Sequence, residues 1–170
     1  MTTKFGDFKE STIGELADLI KNQAQAISLP DLDQLIVDLS ALRARFAKIP
    51  SEPYPYLSDQ LEFLCLFVKE QVVGRSHDLA GEPVGEAAFA LIYFQQAADL
   101  IPDPIPNMGL LDDAIIVTMV LRRQERAFKR SSHRYLLRWP EPKFDIEQLL
   151  SVISPLRVTA FCSSLAKPPR

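Results

Sequence analysis

The sequence predicts an all-α protein: a single compact bundle of about six helices with one Pro/Asp-rich helix–loop–helix corner. Three observations predict it. Apolar residues recur at three- and four-residue spacing along most of the 170-residue chain, while the alternation of a half-buried strand is hardly seen. Helix start signals and prolines fall between those periodic stretches. The segment Pro83–Ile101 is apolar on almost every side through Phe94, which marks it as the central helix, surrounded by the others.

The elements follow in order. Thr12-x-x-Glu15 is a capping box, and Ile13, Leu16, Ala17 and Ile20 continue at helical spacing. Asp31-x-x-Gln34 repeats the start signal after Pro30, with Leu35, Leu39, Leu42 and Phe46 on one face. Pro50–Pro55 is a connector, because its three prolines lack amide donors and push the residues before them out of helical geometry. A third helix is predicted from about Tyr56 to Val73, with Leu57, Leu61, Leu64, Val68 and Val72 as its stripe and Gly74 as its cap. The central helix starts near Pro83, a good first-turn residue.

The fifth helix is predicted to begin between Asn107 and Leu111 and to run to about Ser131, apolar in its first half and charged in its second. After the Trp139–Pro142 break, Asp145-x-x-Gln148 caps a short sixth helix to about Ile153. Val158–Leu165 fits neither period, and Lys167–Arg170 reads as a frayed tail. Length and composition suit one domain over 1–170, with an N-terminal helical hairpin at 10–50, a core at 56–135 and a C-terminal helical segment at 143–166.

Composition narrows the function classes. Nearly half the residues are apolar and a quarter are charged, the balance of a globular protein. Met1–Glu10 has no apolar stretch of the kind a secretory signal needs, so the expected location is cytoplasmic. Cys65 and Cys162 belong to no metal-spacing pattern and read as free thiols. The apolar runs Ala87–Ala98 and Ala114–Leu121 fall short of the roughly 20 residues that a membrane-crossing helix needs.

The net charge of −3 hides a segregation. No lysine or arginine lies between Arg75 and Arg122, a span that holds seven carboxylates. From Arg122 to Arg138 seven basic residues face the single Glu125. On a continuous helix Arg122, Arg126, Lys129 and His133 share one strip, and Arg123, Arg130 and Arg134 the next. This pattern admits two readings: a solvated helix end that complements its own dipole, or a face that binds an anionic partner. The partner expected from the second is an acidic phospholipid surface on the inner membrane or an acidic protein. Nucleic acid is disfavoured by the acidic isoelectric point near 5.4. Tyr135, Leu136, Leu137 and Trp139 stand beside the run as candidates for the membrane interface.

The stretch Tyr93–Ala114 packs Asp99, Asp103, Asp112 and Asp113 with Pro102, Pro104 and Pro106 between two apolar segments. Its pattern D-L-I-P-D-x-I-P followed by G-x-L-D-D-A resembles the signature of the YkvA-like family, a bacterial domain of unknown function (1232), over roughly residues 85–125. The residues that carry the resemblance include Tyr93, Asp99, Pro102, Asp103, Pro106, Gly109, Asp112 and Asp113; Ala97 stands where the family usually has proline. The resemblance implies a helix–loop–helix corner and supplies no reaction. Asp103 before Pro104 fits an N-cap, and Asp112 and Asp113 fit the first turn of the next helix, where carboxylates meet the positive end of the dipole. Asp99 sits at a helix C-terminus and needs a partner there.

Two functional readings follow. The leading one is a small binding or scaffold module, not an enzyme, with no cofactor, whose anion-binding residues are Arg122, Arg123, Arg126, Lys129, Arg130 and Arg134. No nucleophile–base pair, phosphate loop or histidine ligand pair accompanies them, and His77 and His133 stand alone. The alternative is a metal-dependent phosphoester hydrolase in which Asp99, Asp103, Asp112 and Asp113 hold Mg²⁺ or another divalent cation.

Overall fold

The computed structural model describes residues 3–52, 54–74, 81–96, 110–140 and 148, with side chains described from Thr12 onward. Six α-helices and no strand occur among the described residues: α1 Thr3–Gln25, α2 Leu29–Phe46, α3 Leu57–Val73, α4 Glu82–Gln95, α5 Leu111–Arg123 and α6 Glu125–Tyr135. The all-α bundle is as expected. Asp99, Asp103, the middle of the corner, His77, Cys162 and all of the C-terminal segment except Gln148, which is helical, lie outside the described residues.

Helix α4 is the hub, packing against α1, α2, α3 and α5. Its lining explains why: Val84, Ala87, Ala88, Phe89, Ala90, Leu91 and Phe94 are all buried. Gly85 admits α1, since a Cβ there would stand 3.0 Å from the Ala24 carbonyl oxygen. The expected stripes of α2 and α3 are buried in full, from Leu35 to Phe46 and from Leu57 to Val72.

Several boundaries differ from expectation. Helix α1 begins at Thr3, so Thr12 lies within it and is buried. A threonine hydroxyl is tolerated inside a helix by bonding to the preceding turn, which makes the capping pattern permissive of either position. The cap of α2 is Ser28, one helical turn before the Asp31 signal. The Ser28 amide donates to the Asp31 carboxylate at 2.7 Å, and the Asp31 amide donates back to the Ser28 hydroxyl. The Ser28 hydroxyl also donates to the Asp31 carboxylate at 2.6 Å, and that bond first, then the Ser28 amide, holds the Asp31 carboxyl below its usual range. Helix α4 closes at Gln95 rather than at Ile101 because Arg45 of α2 donates to the carbonyls of Phe94 and Gln95 at 3.2 and 3.1 Å.

The expected long fifth helix is two helices. Gln124, at φ −104° and ψ 15°, breaks it. Helix α5 stays against α1, α3 and α4, while α6 lies on α3 and α5. Phe128 anchors α6. It is fully buried, with ring centroids 4.7 Å from Phe67 and 5.8 Å from Phe63. Trp139 packs edge-on against Phe63 at 5.5 Å and closes the aromatic cluster.

Candidate functional site

Two polar contacts hold α4 and α5 together as an antiparallel pair. At one end Glu86, fully buried, receives Arg123 through Nε at 3.2 Å to both carboxylate oxygens and through Nη2 at 2.9 Å. A buried carboxylate needs a cation with this forked geometry to offset its lost hydration. The hydrogen bond to Glu86 holds the Arg123 guanidinium above its usual pKa, with Glu86, Glu82 and Asp18 adding negative field. At the other end the Tyr93 hydroxyl donates to Asp112 at 2.7 Å. These contacts join residues 37 and 19 apart and so pin the register of the pair.

Both aspartates of the first turn of α5 are buried, Asp112 and Asp113 alike. Their place at the positive end of the helix is as expected, and the Tyr93 bond adds a specific donor. Tyr54 is buried nearby, and burial, followed by the charge of Asp112, raises its phenol pKa. Asp99 and Asp103 fall outside the described residues. Among the described residues, no group of three histidine, cysteine, aspartate or glutamate side chains is placed to hold a metal. Cys65 is a buried free thiol that burial pushes up to about 12, so it stays protonated and inert at neutral pH.

The basic run divides at Gln124. Arg123 turns inward onto Glu86, and Arg122 is exposed at the last turn of α5. Beyond the break, Lys129 pairs with Glu125 at 2.5 Å and stands 5.6 Å from the Trp139 ring. Arg126, Arg130 and Arg134 are exposed and follow one another at four-residue steps on the outer face of α6, with His133 beside them. No carboxylate among the described residues pairs with any of these three arginines. Of the apolar residues next to the run, Leu137 and Trp139 pack on the core. Leu136 points out, 93 % exposed and at φ 55°, a left-handed conformation unusual for leucine. The amides of Leu136 and Leu137 both donate to the Ser132 carbonyl there, which closes α6.

The Glu86–Arg123 clamp escaped the sequence reading, although one signal was present. Glu86 is the lone charge in the run Val84–Phe94, and a carboxylate on so apolar a helix requires a buried cation.

An all-α bundle organised around an antiparallel helix pair, with carboxylates buried at both ends, is the class of protein this geometry defines. Within it, residues 84–119 match the family described as Protein of unknown function (DUF1232). That segment takes in most of α4 and most of α5. Glu86, Tyr93, Asp112 and Asp113 lie inside that segment, whereas Arg123 and all of α6 lie beyond it. No curated protein and no solved structure matches the chain.

Proposed function

We propose that the protein is a small binding module that docks reversibly on an anionic surface through α6, with acidic phospholipid at the inner face of a membrane as the partner. The observation that carries this reading is the exposed strip Arg126, Arg130 and Arg134, which lacks carboxylate partners among the described residues. Arg134 stands 5.7 Å from the Tyr135 ring and no described carboxylate neutralises the strip, whereas Arg123 in the same run is consumed by Glu86. Leu136 at the end of the strip offers an apolar side chain at the level of the headgroups. No helix among the described residues is long and apolar enough to cross a membrane, so attachment through a surface face is the form of contact left to them.

Each surface cation near an anionic bilayer contributes about 1 kcal/mol, so three arginines account for roughly a hundredfold in affinity. Co-sedimentation with phosphatidylcholine vesicles, with and without phosphatidylglycerol, tests the reading. Binding should require the acidic lipid, fall steeply with salt and vanish in an Arg126→Glu/Arg130→Glu/Arg134→Glu variant. Equal binding to both vesicles would sink it. So would tight Mg²⁺, Mn²⁺ or Ca²⁺ binding by calorimetry that is lost in Asp112→Asn/Asp113→Asn, which would move the function to the carboxylates of the corner.

A further inference from the structure

The inner edge of the arginine strip borders a cleft of about 320 Å³ between the end of α3, the start of α4 and α6. Phe67 and Val84 form its apolar floor, and Gln71, Arg130, Ser131 and Arg134 stand around it. Arg126 does not reach it. No carboxylate lines it among the described residues; Glu82, on the adjoining turn of α4, is turned instead toward Lys21 at 3.6 Å.

We propose that this cleft is a phosphomonoester site, in which the Arg130 and Arg134 guanidiniums close on the terminal phosphate of a lipid headgroup or of a soluble phosphate. Arg130 and Arg134 are one helical turn apart and both line the cleft, Arg134 standing 5.7 Å from the Tyr135 ring, so one anion is within the compass of the pair. In the free protein that spacing sets like charges side by side, an arrangement the same helix avoids at Glu125–Lys129. An anion between the guanidiniums removes the conflict. Forked donors match the oxygens of a phosphate in pairs. The Ser131 hydroxyl and the Gln71 amide add two neutral donors at the rim.

The charge favours a monoester over a diester. A terminal phosphate carries close to two negative charges at neutral pH and presents three free oxygens. It therefore satisfies both arginines, where a diester offers a single charge and two free oxygens. The amino-terminal turn of α4 lines the same cleft and adds positive potential, although the guanidiniums carry the site. The apolar floor at Phe67 and Val84 leaves room for the first carbons attached to the phosphate. Only the lipid source of the phosphate rests on the docking reading above; the site itself stands apart from it.

The test uses phosphatidylcholine vesicles doped with phosphatidic acid or with phosphatidylserine, matched in zeta potential, and titration of inorganic phosphate followed by amide chemical shifts. We expect roughly tenfold tighter binding to the phosphatidic acid vesicles, the increment of charge-assisted hydrogen bonds over charge alone. Arg130→Gln/Arg134→Gln should abolish that preference. Arg126→Gln should weaken binding to both vesicles equally and keep the preference, and circular dichroism should show both variants folded. Phosphate-induced shifts confined to the cleft, without vesicle binding, would uphold the site with a soluble ligand and overturn the docking reading. Equal binding to both vesicles with no phosphate-induced shift would overturn the site and leave the docking reading intact. Absence of binding in every arm would overturn both.

Discussion

Arg123 and Arg126 belong to one basic run and lie on either side of Gln124, yet they meet opposite surroundings. Arg123 ends α5 with its guanidinium on a fully buried carboxylate. Arg126 opens the outer strip of α6 in water. The first charge ties the α4–α5 pair together, and its loss exposes no binding surface. The second is exposed and has no ion-pair partner among the described residues. A cluster of like charges in a sequence thus sums two populations, and only the structure separates them. The break at Gln124 performs the separation, because it lets α6 leave the line of α5 and lie on α3.

The largest test removes the anchor of the exposed region. Phe128→Ala should cost about 4 kcal/mol, since a fully buried ring against Phe63, Phe67 and Trp139 leaves a cavity that its neighbours cannot fill. Urea denaturation measures the loss, and hydrogen exchange should place the early opening in α6. If α6 amides remained as protected as those of α4, the aromatic cluster would not be what docks it.

On the other side of the comparison, Arg123→Ala should cost about 3 kcal/mol by leaving Glu86 buried and unpaired. Glu86→Gln should cost less, about 1 to 2 kcal/mol, because Arg123 is partly exposed and regains water. Vesicle binding at a temperature where both variants are folded should match the parent protein. A loss of binding in Arg123→Ala would erase the distinction between the two arginines.

How much of this was legible depends on the range of the signal. The faces of α2 and α3 and the burial of α4 were readable because periodicity and all-round apolarity are local properties. The first-turn placement of Asp112 and Asp113 was readable for the same reason. The Gln124 break carries neither proline nor glycine and arises because Phe128 finds its pocket on α3, a tertiary cause. Arg123 and Glu86, 37 residues apart, meet only once the register of their two helices is set. Likewise the cleft of Arg130 and Arg134 joins three helices that no spacing rule connects.

Two smaller tests sharpen the buried side. Tyr93→Phe removes the donor to Asp112 and should cost about 1 kcal/mol, read as a lower urea midpoint. An unchanged midpoint would show that the hydroxyl bond does not help to set the α4–α5 register. Gln60, fully buried on α3, has no hydrogen-bond partner for either amide atom among the described residues. Gln60→Met should therefore stabilise the protein by about 1 kcal/mol, because it removes a desolvated amide and keeps the volume. A lower thermal midpoint in that variant would count against the assignment of Gln60 as unsatisfied.

The smallest effect on stability belongs to Arg126→Gln. Its guanidinium has no ion-pair partner among the described residues, so the change should stay within about 0.5 kcal/mol. Removal of one cation from the i, i+4 series of Arg126, Arg130 and Arg134 relieves repulsion, which places the sign on the stabilising side. Binding to acidic vesicles should weaken about fivefold, the share of a single surface cation. The two readouts then move in opposite directions: the thermal midpoint holds or rises while affinity falls. Arg123→Ala gives the reverse pattern, a large loss of stability at constant affinity. If Arg126→Gln lowered the midpoint and left vesicle binding unchanged, the exposed strip would be structural after all, and the two arginines would differ in exposure without differing in role.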